Sequence, residues 1–244
     1  TLRFGLATIL TIAFINRKLF QLTNNEITGG IVCGFFLFLG YGFQNFGLMH
    51  TTASKSAFIT SVSVLLVPIF LVTCNLQKVK WRIWIAVLLA TMGLYLLILP
   101  GGGGLSLGDI LTSGCAFGFA LHIIAQDIYI KKEIRLLPFF CVQSGFVTLL
   151  SFVNAQIFES SAIIWSDHLF AAIIITGILA TFAAFLIMIW AQKILNPSET
   201  AIIFAVEPVA AALFATAFGG EILGLWGWIG GGLVCLAVMY GESG

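Results

Sequence analysis

The chain has 244 residues, of which 60% are hydrophobic and 9% charged, and its mean hydropathy is +1.09. Soluble domains carry about 25% charged residues, so a soluble globular class is excluded and a polytopic protein in a lipid bilayer is indicated. The net charge is +1, and the basic residues form small clusters between apolar runs, which gives no footprint for a nucleic-acid partner.

Nine apolar spans follow in chain order, at 1–15, 28–49, 54–75, 82–99, 108–129, 138–158, 168–191, 198–219 and 223–241. Backbone groups in lipid must be satisfied within the segment, so the spans are read as helices and the fold class as all-α. The first run starts at Thr1 rather than Met and is short against the roughly 20 residues a span needs. No signal-peptide layout precedes it, and the reading is that the true N-terminus is missing. Pro100 and the run Gly101–Gly104 end the fourth span and act as a hinge. Pro138 opens the sixth span, and Asn196 with Pro197 supplies an N-cap and first-turn proline for the eighth. The five cysteines each stand alone in or beside an apolar run. Neither a disulfide framework nor a metal site is implied, and no cofactor is expected.

The basic residues alternate by loop. Arg17 and Lys18; Lys78, Lys80 and Arg82; Lys131, Lys132 and Arg135; and Lys193 put nine of the eleven on one side, leaving Arg3 and Lys55 on the other. By the positive-inside rule the first loop and the C-terminus face the cytoplasm. The chain is also internally repeated. Ser54 and Ser198, Ala57 and Ala201, and Trp84 and Trp228 are each 144 residues apart, with no gap between. Met49–Ala53 is then an outer loop, while its counterpart Lys193–Pro197 is an inner one. The copies are therefore inverted, which needs an odd number of spans per copy. The expected division is 1–99 for the first repeat (helices 2–5), 100–107 for the Gly-rich hinge and 108–244 for the second repeat (helices 6–10), with the first helix missing. Duplicated membrane units are the usual ground plan of secondary transporters.

Polar residues inside spans are costly, so each needs a reason. Ser56, Thr60 and Ser63 share one helical face, and their repeat mates are Thr200, Phe204 and Glu207. Tyr41 and Gln44 face the same way one span earlier. These residues, with His122 and Trp190, are the candidate lining of a central cavity. Glu207 has two readings: a cavity carboxylate for a cationic group or proton, or a structural acid beside the carbonyl freed by Pro208. His122 is either a pH-sensitive cavity residue or a neutral imidazole bonded between helices. Asp127 beside Lys131 reads as an interfacial ion pair. Lys55 reads as a snorkelling cation or as an attractor for an anionic ligand. Pro68 and Pro208 mark helix kinks, and Pro68 stands four residues late in the repeat register, so the kinks are expected about one turn apart. Small-xxx-small glycines at Gly30/Gly34, Gly114/Gly118 and Gly227/Gly231 serve close packing within a monomer, or at most a weak dimer.

The stretches YGFQNFGLMHTTASKSAFI (Tyr41–Ile59), VPIF (Val67–Phe70), FALHIIAQDIYIKK (Phe119–Lys132) and NPSETAIIFAVEPVAAALFA with Gly220-Glu221 resemble the drug/metabolite transporter superfamily, EamA type. The resemblance covers essentially the whole chain. It implies ten helices in two inverted five-helix repeats, both termini cytoplasmic, and a cavity lined by both repeats. It also implies a secondary carrier in the inner membrane, in many members an exporter of amino acids and other metabolites. The absent first helix is the departure from that pattern. No nucleotide-binding motif is present, so a gradient is expected to drive transport; a proton is the expected coupling ion, since Glu207 and His122 are the mid-membrane relays on offer. An intramembrane enzyme would need a motif such as HExxH or paired aspartates, and none is present. A non-transporting scaffold or sensor is the alternative, and it leaves the repeat-related polar stripes without a purpose.

Overall fold

A computed structural model describes residues 1–15, 21–98, 106–158, 165–218 and 222–242. Arg17, Lys18, the Gly-rich hinge, Glu159 and the Gly219–Glu221 turn lie outside the described residues. The described residues are helical, with no strand among them. The elements are α1 (Leu2–Ile15), α2 (Asn24–Leu48), α3 (Ala53–Ser61), α4 (Ser63–Thr73), α5 (Trp81–Ile98), α6 (Leu107–Ile130) and α7 (Leu136–Phe158). Then come α8 (Asp167–Ile174), a π-helical segment (Ile175–Ala183), α9 (Ala184–Ala191), α10 (Pro197–Phe204), α11 (Val206–Phe218) and α12 (Leu225–Glu242). Taking α3–α4, α8–π–α9 and α10–α11 each as one interrupted span gives nine spans among the described residues. Seven are long and apolar enough to cross a membrane, and α1 and α12 are shorter apolar helices.

The chain forms two compact units, one of Thr1–Phe38 with Ala125–Ile194 and the other of Leu39–Ile124 with Leu195–Gly244. Each unit takes repeat-related elements from both halves of the sequence, and α2 and α6 contribute to both. In the first unit α1 packs on α7 and on the π segment. Its fixed point is Glu26, which is 1% exposed. One carboxylate oxygen accepts Arg135 Nε at 2.7 Å and the Arg135 backbone N–H at 3.1 Å, and the other accepts Arg135 Nη2 at 2.7 Å. Arg135 Nη2 also donates to the Gln21 carbonyl at 2.7 Å. The hydrogen bond to Glu26 pushes the Arg135 guanidinium above its ordinary pKa, so the cation persists at any accessible pH. The start of α2 is thereby tied to the α6–α7 connection. Pro138 is the third residue of α7 rather than its first, a position in the first turn where its missing N–H has no intrahelical partner to lose. Gly30 and Gly34 lie against Val142 and Gln143 of α7, so this small-residue pair packs within the chain. The π segment has a local cause. Thr176 Oγ1 donates to the Ala172 carbonyl at 2.6 Å, and Thr181 Oγ1 donates five residues back to the Thr176 carbonyl at 2.8 Å. Hydroxyl back-bonds of this kind loosen the α-helical ladder.

The second unit is built on α5 and α12, which occupy matching 18-residue stretches of the two repeats. They cross at Gly93 and Gly230. A Cβ on Gly93 would lie 2.7 Å from the Gly230 carbonyl oxygen, and one on Gly230 would lie 2.5 Å from the Gly93 oxygen and from Leu97 N. Around this crossing Ala86, Val87, Ala90, Leu94, Val234 and Ala237 form a buried cluster with Val64, Ile202 and Val209 of the broken spans. Arg82 Nε donates to the Tyr240 carbonyl and the guanidinium lies over the Tyr240 ring, closing the other end of the pair.

Two outcomes follow for stability in detergent. Gly230→Ala places a methyl against backbone atoms and should lower Tm, since overpacking costs about 1–3 kcal/mol. Gly232→Ala on the same helix meets nothing within 4 Å and should leave Tm unchanged or slightly raised. Arg135→Ala strands the buried Glu26 carboxylate, whereas Arg135→Lys keeps the charge and loses the fork. A thermal melt should therefore rank wild type, Arg135→Lys and Arg135→Ala in falling order.

Candidate functional site

Nine of the ten residues expected to line a cavity fall in the second unit, the exception being Trp190, which belongs to the first. Trp190 is 56% exposed on α9. The other nine are distributed over the second half of α2, the two broken spans and the first part of α6.

The broken spans share one geometry. The first is interrupted at Val62, whose N–H donates three residues back to the Ile59 carbonyl at 3.1 Å. The second is interrupted at Ala205, whose N–H donates three residues back to the Ile202 carbonyl at 3.0 Å. In the repeat register these two breaks are one residue apart, not one turn. Pro208 accounts for the second, since it has no N–H for the Phe204 carbonyl and its ring crowds that oxygen. Pro68 does not mark the first. It lies inside α4, which runs through it, and the break falls six residues earlier. The local cause there is polar: Ser61 Oγ donates to the Ala57 carbonyl at 2.7 Å in the last turn of α3. Each break is followed by a new helical N-terminus. Ser63 is the first residue of α4, and Glu207, its repeat mate, is the second residue of α11. Glu207 is exposed, Ser63 is half-buried, and Phe204 is 39% exposed just before the break. A new helix N-terminus carries partial positive charge, which suits a carboxylate.

The halves before each break differ. Thr200 is buried and donates to the Asn196 carbonyl at 3.1 Å. The start of α10 is held by Asn196, whose backbone N–H donates to Glu199 Oε2 at 2.8 Å. Ser56, the mate of Thr200, is 1% exposed, and its hydroxyl has no hydrogen-bond partner. One turn on, Thr60 Oγ1 lies 3.6 Å from Cys115 Sγ of α6.

That contact leads to a feature the sequence reading passed over. Asp109, Thr112, Cys115 and His122 are 3%, 0%, 0% and 2% exposed. At steps of three or seven they form one buried polar stripe along α6. Phe119 lies in the same stripe and meets Tyr41 of α2 edge-on, with ring centroids 5.1 Å apart. Gln44 is half-buried one turn beyond Tyr41. The stripe continues as Gln126, which belongs to the first unit and donates to Gln192 Oε1 at 2.6 Å. The spacing of these polar residues within one apolar span was the available signal. Lys55 is not a free snorkelling cation: its Nζ lies 3.7 Å from Asp109 Oδ2. Asp127 and Lys131 form the ion pair read from their spacing, at 2.6 Å. Among the described residues no cluster of His, Cys, Asp or Glu is placed to hold a metal.

The model of the EamA-like transporter family matches residues 1–99 and 106–240. The chain belongs to the EamA-like transporter family. An uncharacterized transporter of Archaeoglobus fulgidus is 33% identical to it over 240 residues, covering 98% of this chain and 74% of that protein. A crystal structure of 15% sequence identity superposes with a TM-score of 0.82 over 99% of this chain and 86% of its own. That likeness speaks to the fold alone, an all-helical arrangement with nine spans among the described residues. This family member is therefore a multi-pass membrane transporter.

Proposed function

We propose that the protein is a secondary carrier that exports small amphipathic metabolites, amino acids among them, across the inner membrane by alternating access. The observation that carries this reading is the pair of equivalent breaks in one unit, with Ser63 and Glu207 in the first turn after each. Irregular backbone at membrane depth is tolerated where it lines a water-filled cavity, and the ends of half-helices are natural sites for charged groups. Tyr41 and Phe119 supply an aromatic wall. Ser56, Thr60, Ser63 and Thr200 supply hydroxyls, and the open Ser56 hydroxyl is a group that a substrate or water would satisfy. Gln44, His122 and Phe204 complete the proposed lining. Glu207 receives the ammonium group or a coupling proton. The two inverted repeats, 1–99 and 108–244, then exchange roles about this site. The nine-to-two asymmetry of basic residues supports a cytoplasmic C-terminus.

Counterflow in proteoliposomes tests this. Labelled amino acids should accumulate against preloaded unlabelled solute, and the same solutes should raise the Tm of the detergent-solubilised protein. A saturating ligand at a hundredfold excess over its Kd adds about 2.7 kcal/mol of apparent stability. Glu207→Gln should remove the pH dependence of counterflow. Unchanged pH dependence would move the coupling group off Glu207.

A further inference from the structure

The α6 stripe ends at a seam that the proposed transport cycle does not yet use. Asp109 sits in the first turn of α6, and its carboxylate is shared among three neighbours. The Ser106 backbone N–H donates to Oδ2 at 2.9 Å, Thr51 Oγ1 donates to Oδ1, and Lys55 Nζ lies 3.7 Å from Oδ2. Thr51 is in the α2–α3 connection, and Lys55 is in the first turn of α3. Beneath these groups the two backbones touch. A Cβ on Gly108 would lie 2.6 Å from the Gly47 carbonyl oxygen and 2.6 Å from Thr51 N, and one on Gly47 would lie 3.1 Å from the Gly108 oxygen. Just inside the seam stand Thr112, Cys115 with Thr60, and the unpartnered Ser56.

We propose that Asp109, held by Thr51 and Lys55 over the Gly47–Gly108 contact, is a latch that closes one end of the polar stripe and parts to admit or release substrate. The inference rests on the transporter reading above.

Three features distinguish a latch from permanent packing. The permanent seam of this unit, α5 on α12, is built from glycine, alanine and valine, and parting it would expose apolar surface. The Asp109 seam is held by groups that water satisfies as well as the protein does, so its open state carries little penalty. A bistable element needs two arrangements of similar free energy. Next, the ionic contact is long. At 3.7 Å it lies beyond hydrogen-bond reach, and the Lys55 side chain is 18% exposed. Last, the seam covers polar side chains rather than a sealed apolar core.

The chain carries its own reporters. Cys115 is 0% exposed and lies six residues inward from Asp109, while Cys33, also 0% exposed, belongs to the other unit. In a background with the exposed Cys74 and Cys235 changed to serine, a membrane-impermeant maleimide should label Cys115 several-fold faster in Asp109→Asn. Gly108→Ala, which wedges the backbones apart without touching the charge, should do the same. Cys33 labelling should stay slow in both variants. Thr51→Cys with Asp109→Cys, once oxidised, should stop counterflow, and reductant should restore it. Cys115 labelling unchanged in both single variants, an equal gain at Cys33, or full counterflow in the oxidised protein would each overturn the latch. If the parent protein shows no counterflow with any solute while Cys115 responds as expected, the latch stands as an opening seam and the transporter mechanism is what fails.

Discussion

Glu26 and Arg135 set the terms on which the rest of this molecule can exist. A carboxylate 1% exposed in an apolar chain has no water to solvate it, and desolvation of a lone charge outweighs any packing it allows. Here both oxygens are met by the Arg135 fork, and the backbone N–H groups of Thr23 and Arg135 fill the remaining acceptor positions. The pair joins residues 109 positions apart in the chain. It therefore fixes where α7 starts relative to α2, and α7 in turn positions α1.

The same local motif recurs at Asp109 and Glu199, and its fate differs each time. Ser106 with Asp109 and Asn196 with Glu199 are capping pairs like Thr23 with Glu26. In each, a side chain three residues into the helix reaches back to the backbone N–H before it. What varies is the company on the neighbouring element. Glu26 finds a planar guanidinium that takes two oxygens at once. Asp109 finds a hydroxyl and a more distant ammonium. Glu199 stays with Asn196, whose side-chain nitrogen lies 3.3 Å from it. A cap that begins as helix termination becomes a tertiary contact according to the donor opposite, and the weaker the donor, the easier the contact is to part.

Much of the architecture was legible from residues alone, because a bilayer leaves few choices. Apolar runs of bilayer length mark helices, and basic loops alternate with them. A gapless offset of 144 residues aligns α5 with α12 to the residue. The Asn196–Pro197 start of α10 was visible for the same reason, since capping is local. Three things were not visible. A kink was read at Pro68, but the break itself falls six residues earlier, at Val62, where no proline marks it. The π segment depends on which carbonyls the hydroxyls of Thr176 and Thr181 select, and that choice is made with α1 packed alongside. The partners of Glu26 and Asp109 lie across long loops in sequence, where no periodicity reports them. The α6 stripe is the instructive case. Its spacing was in plain sight, but of its members only His122 was singled out, because the partners of Asp109 and Thr112 lie on elements distant in sequence.

The two breaks raise a question of cause. The repeat register places Val62 and Ala205 within one residue of equivalence, yet a proline sits at 208 in one copy and valine at 64 in the equivalent position of the other. The local causes differ, Pro208 in one copy and the Ser61 hydroxyl in the other, so their equivalent placement points to equivalent surroundings. In this unit the surroundings are shared: α3 and α4 pack on α5 much as α10 and α11 pack on α12, and α5 and α12 are themselves locked at Gly93 and Gly230. The rigid pair thus presents equivalent surfaces to both broken spans, and each span bends where its surface dictates. Pro208 in one span and the Ser61 hydroxyl in the other then break the helix at that point. Chemistry is free to diverge at such a point without disturbing the fold, and it has done so. The position after one break carries the Ser63 hydroxyl, and the position after the other carries the Glu207 carboxylate. That difference gives a structurally repeated pair an electrostatic polarity.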